Sequence, residues 1–266
     1  MRAVIGCVCG WFLSLPGFCQ ETTGLGNPLL FRSATAFVSP GLLSDSSSTT
    51  SLSVFANQFT DLAITRRIDA AGSLPLHGKA GIGVRFSSTG KDQFKEQEIG
   101  IAYGRGLGTT HAGNIHWKLG LLFQYHHQKI QAVKANRQWM AGISVALDIK
   151  QQLISLLFLK RSSTFYKDHF QINTRQCWSD QVSTEVFAGY NGQQLIHTGI
   201  SLQYNLLDRA YMRMHWQIRP DFLAWEQSYR LGSCWLIVQA IRYPMIGWKS
   251  GFGLVWNTKK TSTKHE

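Results

Sequence analysis

The sequence predicts an all-β fold: an antiparallel transmembrane β-barrel of about twelve strands, up to fourteen, with a short N-terminal helical or irregular plug segment. Three observations carry this expectation. From Ile115 to His127 apolar and polar residues alternate for thirteen positions, and much of the remaining chain repeats the rhythm. A strand turns successive side chains to opposite faces, so each such segment has one greasy wall and one polar wall. These segments exceed the roughly 5–6 residues usual in soluble proteins and suit the roughly 9–11 tilted residues of a membrane-crossing strand. Composition agrees: only 16% of residues are charged, against roughly 25% in a soluble protein. Nine Trp, eight Tyr and fifteen Phe supply the rings that belt a membrane interface.

Residues 1–19 read as a secretory signal. Arg2 gives a positive start, Ala3 to Leu15 an apolar core, and Pro16 to Cys19 a break before Gln20. That core is too short for a spanning helix. Cys19 raises lipidation as an alternative, against which Phe18 stands where a lipid box wants a small residue. No later uncharged run reaches 18 apolar residues, so an export-competent chain this apolar is either a secreted β protein or a barrel.

Residues 20–61 differ in pattern from the rest of the chain. Asn27 to Leu43 is mixed apolar, Ser44 to Ser51 is a polar low-complexity stretch, and Leu52 to Ala56 is apolar again. This region is expected to be the plug. The barrel is expected over 62–257, with a polar tail at 258–266 that holds Lys259, Lys260 and Lys264.

Within the barrel, Leu62–Leu76 is the first expected stave. Ala80, Ile82, Val84 and Phe86 oppose Gly81, Gly83 and Arg85; Ile99, Ile101 and Tyr103 oppose Glu98, Gly100, Ala102 and Gly104. Trp117, Leu119, Leu121 and Phe123 oppose His116, Lys118, Gly120 and Gln124. Trp139 to Ile149 and Ile196 to Leu206 alternate in the same way. Met212, Met214, Trp216 and Ile218 oppose Arg213, His215, Gln217 and Arg219, and Trp248, Phe252, Leu254 and Trp256 close the series. Leu153–Lys160, Phe170–Trp178, Val182–Tyr190, Phe222–Leu231 and Cys234–Tyr243 are less regular. Lys150–Gln152 and Asn191–Gln193 read as tight turns, and Gln131–Gln138 and Arg161–His169 as the longer outward loops. A soluble β-sandwich also alternates, but its solvated face favours Lys and Glu, whereas this polar face is rich in Gly, Ala and Ser, as a narrow lumen requires.

Cys177 and Cys234 remain after the leader, either paired or as two small apolar residues; sequence leaves this open. The net charge of +12 is spread over strand faces, turns and tail, without the basic stripe that nucleic acid needs, so lipid head groups or a pore are its expected partners.

Val54–Ala63, with Asn57 and Gln58 at its centre, resembles the segment ahead of the barrel in FadL-related outer-membrane proteins. The likeness is closest to the branch that holds the PorV and PorQ components of type IX secretion. Leu74-Pro75-Leu76, Gly81–Val84, Glu98–Gly108 and the closing Tyr243–Trp248 with Gly251–Leu254 are similar to later hairpins of that branch. The resemblance implies the outer membrane of a Gram-negative bacterium, Asn57 and Gln58 as a plug motif, and one of two roles. One is an accessory scaffold holding secretion-system proteins; the other is passive passage of a small hydrophobic ligand.

No residue pattern demands catalysis. His116, His126, Asp148 and Ser144 fall on one lumenal face, which permits a barrel hydrolase only if a nucleophile, a base and an orienting group meet. His126 and His127 point to opposite faces and cannot share an ion. No cofactor and no metal are expected. The best ligand contacts are the ladder Arg213, His215, Gln217 and Arg219, with His116, Lys118, His126 and Arg85 as further lumenal candidates. The ordinary alternative for the ladder is pairing with Glu185 or Glu226 across the lumen.

Overall fold

A computed structural model describes residues 37, 39–44, 50–59, 62–91, 94–110, 115–130, 135–162, 168–191, 195–207, 209–218, 221–244 and 247–258. The expected signal segment, Arg219 and the Lys-rich tail lie outside them. Fourteen strands follow in chain order: β1 (Thr50–Phe59), β2 (Leu62–Leu76), β3 (Ala80–Lys91), β4 (Phe94–Thr109), β5 (Ile115–Ile130), β6 (Asn136–Ile149) and β7 (Gln152–Arg161). The second half comprises β8 (His169–Cys177), β9 (Val182–Asn191), β10 (Leu195–Leu207), β11 (Ala210–Ile218), β12 (Phe222–Leu231), β13 (Cys234–Tyr243) and β14 (Gly247–Thr258). Each pairs antiparallel with its neighbours, and β1 pairs with β14 from Thr50↔Thr258 to Phe59↔Lys249, so the sheet is closed. Closure leaves no unpaired edge, the condition for strands to cross a bilayer.

The count stands at the upper end of the sequence expectation, and the additional strand is β1. Its residues belong to the region expected as plug: the barrel begins at Thr50 rather than Leu62, and Asn57 and Gln58 are wall residues. The reason is that Ser51, Ser53 and Asn57 turn inward and Leu52 and Val54 outward, an alternation too short to read beside the serine run before it. Ahead of β1 the described residues hold one 3-10 turn, Pro40–Ser44, and no folded plug domain lies among them.

Outside, Leu52, Val84, Phe86, Ile99, Ile101, Leu121, Phe123, Ile143, Phe158, Val186, Ile200, Phe252 and Leu254 are exposed. So long an apolar belt is unsupportable in water and is the lipid face of an outer-membrane barrel. Trp117, Trp178 and Trp256 stand near one rim and Trp139, Trp216 and Trp248 near the other, all exposed. Trp248 and Trp256 are eight residues apart on β14. At about 3.3 Å per residue this is about 26 Å along the strand. A tilt of roughly 35–45° shortens it to about 20 Å, near the thickness of a barrel's apolar band.

Inside, the wall is polar and small, with apolar exceptions. Leu157 and Leu159 of β7 and Phe222, Ile237, Ile241 and Tyr243 of β12 and β13 also point inward and are buried. These three strands are among the five segments whose alternation is irregular in sequence, and here both faces carry apolar residues. Connections between consecutive strands span two to seven residues. The longest, 162–168, shares the rim opposite Thr50 and Thr258 with 131–135, so both expected loops lie at one end. The Asn191 turn lies there too, and not with the tight turns of the other rim. Cys177 and Cys234, on β8 and β13, are both free thiols.

Candidate functional site in the barrel lumen

Every second residue of a stave must face inward, and strand register decides which inward groups meet. On β2 to β5 the result is a continuous ionic network. Arg67 holds Asp69 through Nε (2.8 Å) and Nη2 (2.9 Å). Arg85 bridges Asp69 (3.2 Å) and Glu98 (3.3 Å), and Gln124 donates to Glu98 at 3.1 Å. All five side chains are buried. Nearby, Lys118 pairs with Asp148 at 3.1 Å, and His126 with Glu96 at 2.7 Å.

A second network covers β8 to β13. Arg213 donates to Glu185 (2.7 Å) and to Ser201 Oγ (3.3 Å), and Ser201 meets His215 Nδ1 at 2.6 Å. Arg175 donates to Gln203 at 3.2 Å, and the Tyr211 hydroxyl donates to Glu226 at 2.9 Å. The His215 ring stacks on Phe187 with centroids 5.3 Å apart and meets Phe222 at 5.3 Å; Phe222 meets Tyr243 at 5.4 Å. The inner wall here is thus an ion-pair layer backed by a row of rings across four strands.

The expected candidates divide accordingly. Arg213, His215 and Gln217 share the lumenal face of β11 and are buried, and Arg213 has the partner named as the ordinary alternative, Glu185. Arg219 is outside the described residues. Arg85, Lys118 and His126 are lumenal and ion-paired. His116 lies near the rim, across from Asp148 in register, and is exposed. Asn57 is buried opposite Gly251 and Arg67, and Gln58 is half-buried. Arg67, Asp69 and Arg175 were not singled out from sequence; an ionisable residue at an inward position was the signal that marked them.

Hydrolytic geometry does not assemble from the expected set. Ser144 Oγ accepts from the Gly41 backbone N–H, Asp148 serves Lys118, and His126 serves Glu96. Ser201 and His215 do touch, but Ser201 Oγ also accepts from Arg213, and Gln217 rather than a carboxylate is the other side chain bonded to the ring. An orienting acid, the third member of a working triad, is not part of this arrangement. Among the described residues no group of His, Cys, Asp and Glu is placed to hold a metal ion.

No protein-family model matches the sequence, and no curated protein does. Solved structures do match. The Acinetobacter baumannii outer membrane protein Omp33 aligns with a TM-score of 0.55 at 8% identity, over 79% of this chain and 97% of that one. A triple mutant of the Rhodopseudomonas blastica porin gives 0.44 at 8% identity, over 79% and 99%, and the KdgM porin 0.43 at 7%, over 77% and 98%. At such identities the likeness concerns fold alone, and only the Omp33 match is close enough to argue from. These findings overturn the resemblance to the FadL branch and its PorV and PorQ members. The solved barrel close enough to argue from is Omp33, no family model supports that branch, and the segment offered as its plug motif is strand β1. What the chain shares with Omp33 is the fold of a closed, antiparallel β-barrel.

Proposed function

We propose that this chain is a non-enzymatic outer-membrane channel of narrow bore, exported to a Gram-negative outer membrane by a cleaved leader and passing small hydrophilic solutes passively. One observation carries the reading. The barrel surrounds a polar, charged inner wall whose acids and bases are spent on one another rather than arranged around a reacting atom. Mutually paired lumenal charges line a path for hydrated solutes without strong preference for either sign. The matching fold of Omp33, an outer membrane protein, supports the location.

Narrowness follows from the inner surface. Arg85, Glu98, Arg175, Arg213 and Glu226 are each no more than 4% exposed although all face inward. The residues ahead of β1 contribute, since Pro40–Ser44 is buried against the inner faces of β4 and β5.

Purified protein in planar bilayers tests the proposal. Discrete, ohmic conductance steps of small size are expected, together with folded, heat-modifiable mobility on gels. Folded protein that conducts nothing and swells no liposomes with small sugars or amino acids would sink it.

A further inference from the structure

Phe37 and Ser39–Ser44 are described residues that lie within the barrel without belonging to its wall. Their seat is cut to fit a backbone. A Cβ built on Gly120 of β5 would meet Gly41 N at 2.2 Å and Pro40 C at 2.5 Å. One on Gly104 of β4 would strike the Pro40 carbonyl oxygen at 2.1 Å, and one on Gly100 the Phe37 ring at 2.7 Å. No real Cβ approaches backbone so closely, so Gly104 and Gly120 admit glycine alone while the segment is in place, and a side chain at Gly100 would have to displace the Phe37 ring. Two anchors complete the seat. Gly41 N–H donates to Ser144 Oγ of β6 at 3.0 Å, and the Arg85 guanidinium stands over the Phe37 ring, 5.8 Å from its centroid. Phe37 and Leu43 then cluster with Ala102, Leu122, Leu157 and Leu159. That apolar patch of the inner wall is explained by its occupant.

Among the described residues no other segment lies inside the wall. Connections of at most seven residues extend no more than about 25 Å and must go in and return, which limits the depth any of them can reach. From this geometry we infer that Phe37 with Ser39–Ser44 forms a strap that sets the bore of the channel, and that Gly100, Gly104, Gly120 and Ser144 are its built receptor. The inference rests on the channel reading and adds the residues that determine what size of solute passes.

The test compares wild-type protein, a chain lacking residues 37–44, the Gly120→Val variant, and a tether, all in planar bilayers. The tether is Ser44→Cys with Gly106→Cys in a Cys177→Ser, Cys234→Ser background, because a Cβ on Gly106 falls 3.7 Å from Ser44 Oγ. Heat-modifiable mobility checks that each barrel has closed, and Ser144→Ala serves as a milder displacement if Gly120→Val does not fold.

The deletion and Gly120→Val are expected to raise single-channel conductance several-fold and admit larger sugars in liposome swelling. The oxidised tether is expected to form readily and keep the wild-type conductance. A silent wild type beside a conducting deletion overturns the bore-setting role, because the segment then shuts the barrel outright, and the channel reading of the intact protein falls with it. Equal conductance in all folded proteins, or a tether that does not oxidise, overturns the strap. Silence from every folded protein, the deletion included, with the tether formed, overturns the channel reading instead, and with it any role of the strap in setting a bore.

Discussion

Asp69 sits between two guanidinium groups, Arg67 at 2.8 Å and Arg85 at 3.2 Å, and is 3% exposed. Removing one member of a buried pair costs more than the pair contributes, because the remaining charge is left buried without its partner. Asp69→Asn is therefore expected to destabilise the barrel by about 3–5 kcal/mol, read as a lower urea midpoint for unfolding from vesicles. An unchanged midpoint would mean that the lumen hydrates these arginines. Glu185 offers a functional counterpart. It faces Arg175 in register and pairs with Arg213, so Glu185→Gln leaves two adjacent guanidinium groups against one acid fewer. Under a potassium chloride gradient the reversal potential is expected to move toward anion preference relative to wild type. No movement would place these residues away from the solute path.

At the scale of the element, β5 shows what one stave must satisfy. Its outward residues Leu121 and Phe123 are half-exposed to lipid, while Lys118, Leu122 and Gln124 on the opposite face are buried inward. Phe123→Arg places a charge near the middle of the apolar belt, where the penalty is about 2–4 kcal/mol. Refolding into vesicles of defined thickness measures it, and the same exchange nearer the rim should cost less. Glycine has a different use on the inner face from the one expected of it. From sequence alone, small inward residues signal a narrow bore. In the structure they sit beneath something: Gly100, Gly104 and Gly120 under the strap, Gly142 under Leu159, Gly199 under the Phe187 ring, Gly253 under the Phe55 ring. Periodicity locates such glycines on a face, but it does not say what lies over them, because the covering group comes from another strand or from ahead of the barrel.

Over the whole molecule, closure between β1 and β14 joins residues 208 positions apart, as in Thr50 and Thr258. A contact of that separation leaves no local mark, and β1 accordingly reads as part of the segment before the barrel. Breaking the seam is expected to matter more than breaking any hairpin. Val54→Pro, opposite Leu254 and Ala70, removes a ladder donor from the closing strand and should abolish heat-modifiable mobility. Retained mobility would show that the barrel closes without β1.

What the amino-acid order determined by itself was every feature set by neighbours two residues apart. Those features are the existence and faces of the staves, the lipid-facing belt, the inward placement of Arg85, Lys118, His126, Arg213 and His215, and the beginning of β2 at Leu62. Only the tertiary structure decided which inward charges meet, since Arg85 finds Asp69 and Glu98 through register across three strands. It also decided that Thr50–Phe59 closes the sheet and that a glycine-lined groove is filled by Pro40–Ser44. Alternation is a property of one strand and survives in its sequence. Pairing, closure and filling are properties of several strands at once, fixed by a shear and a lumen that exist only after the sheet has curled shut.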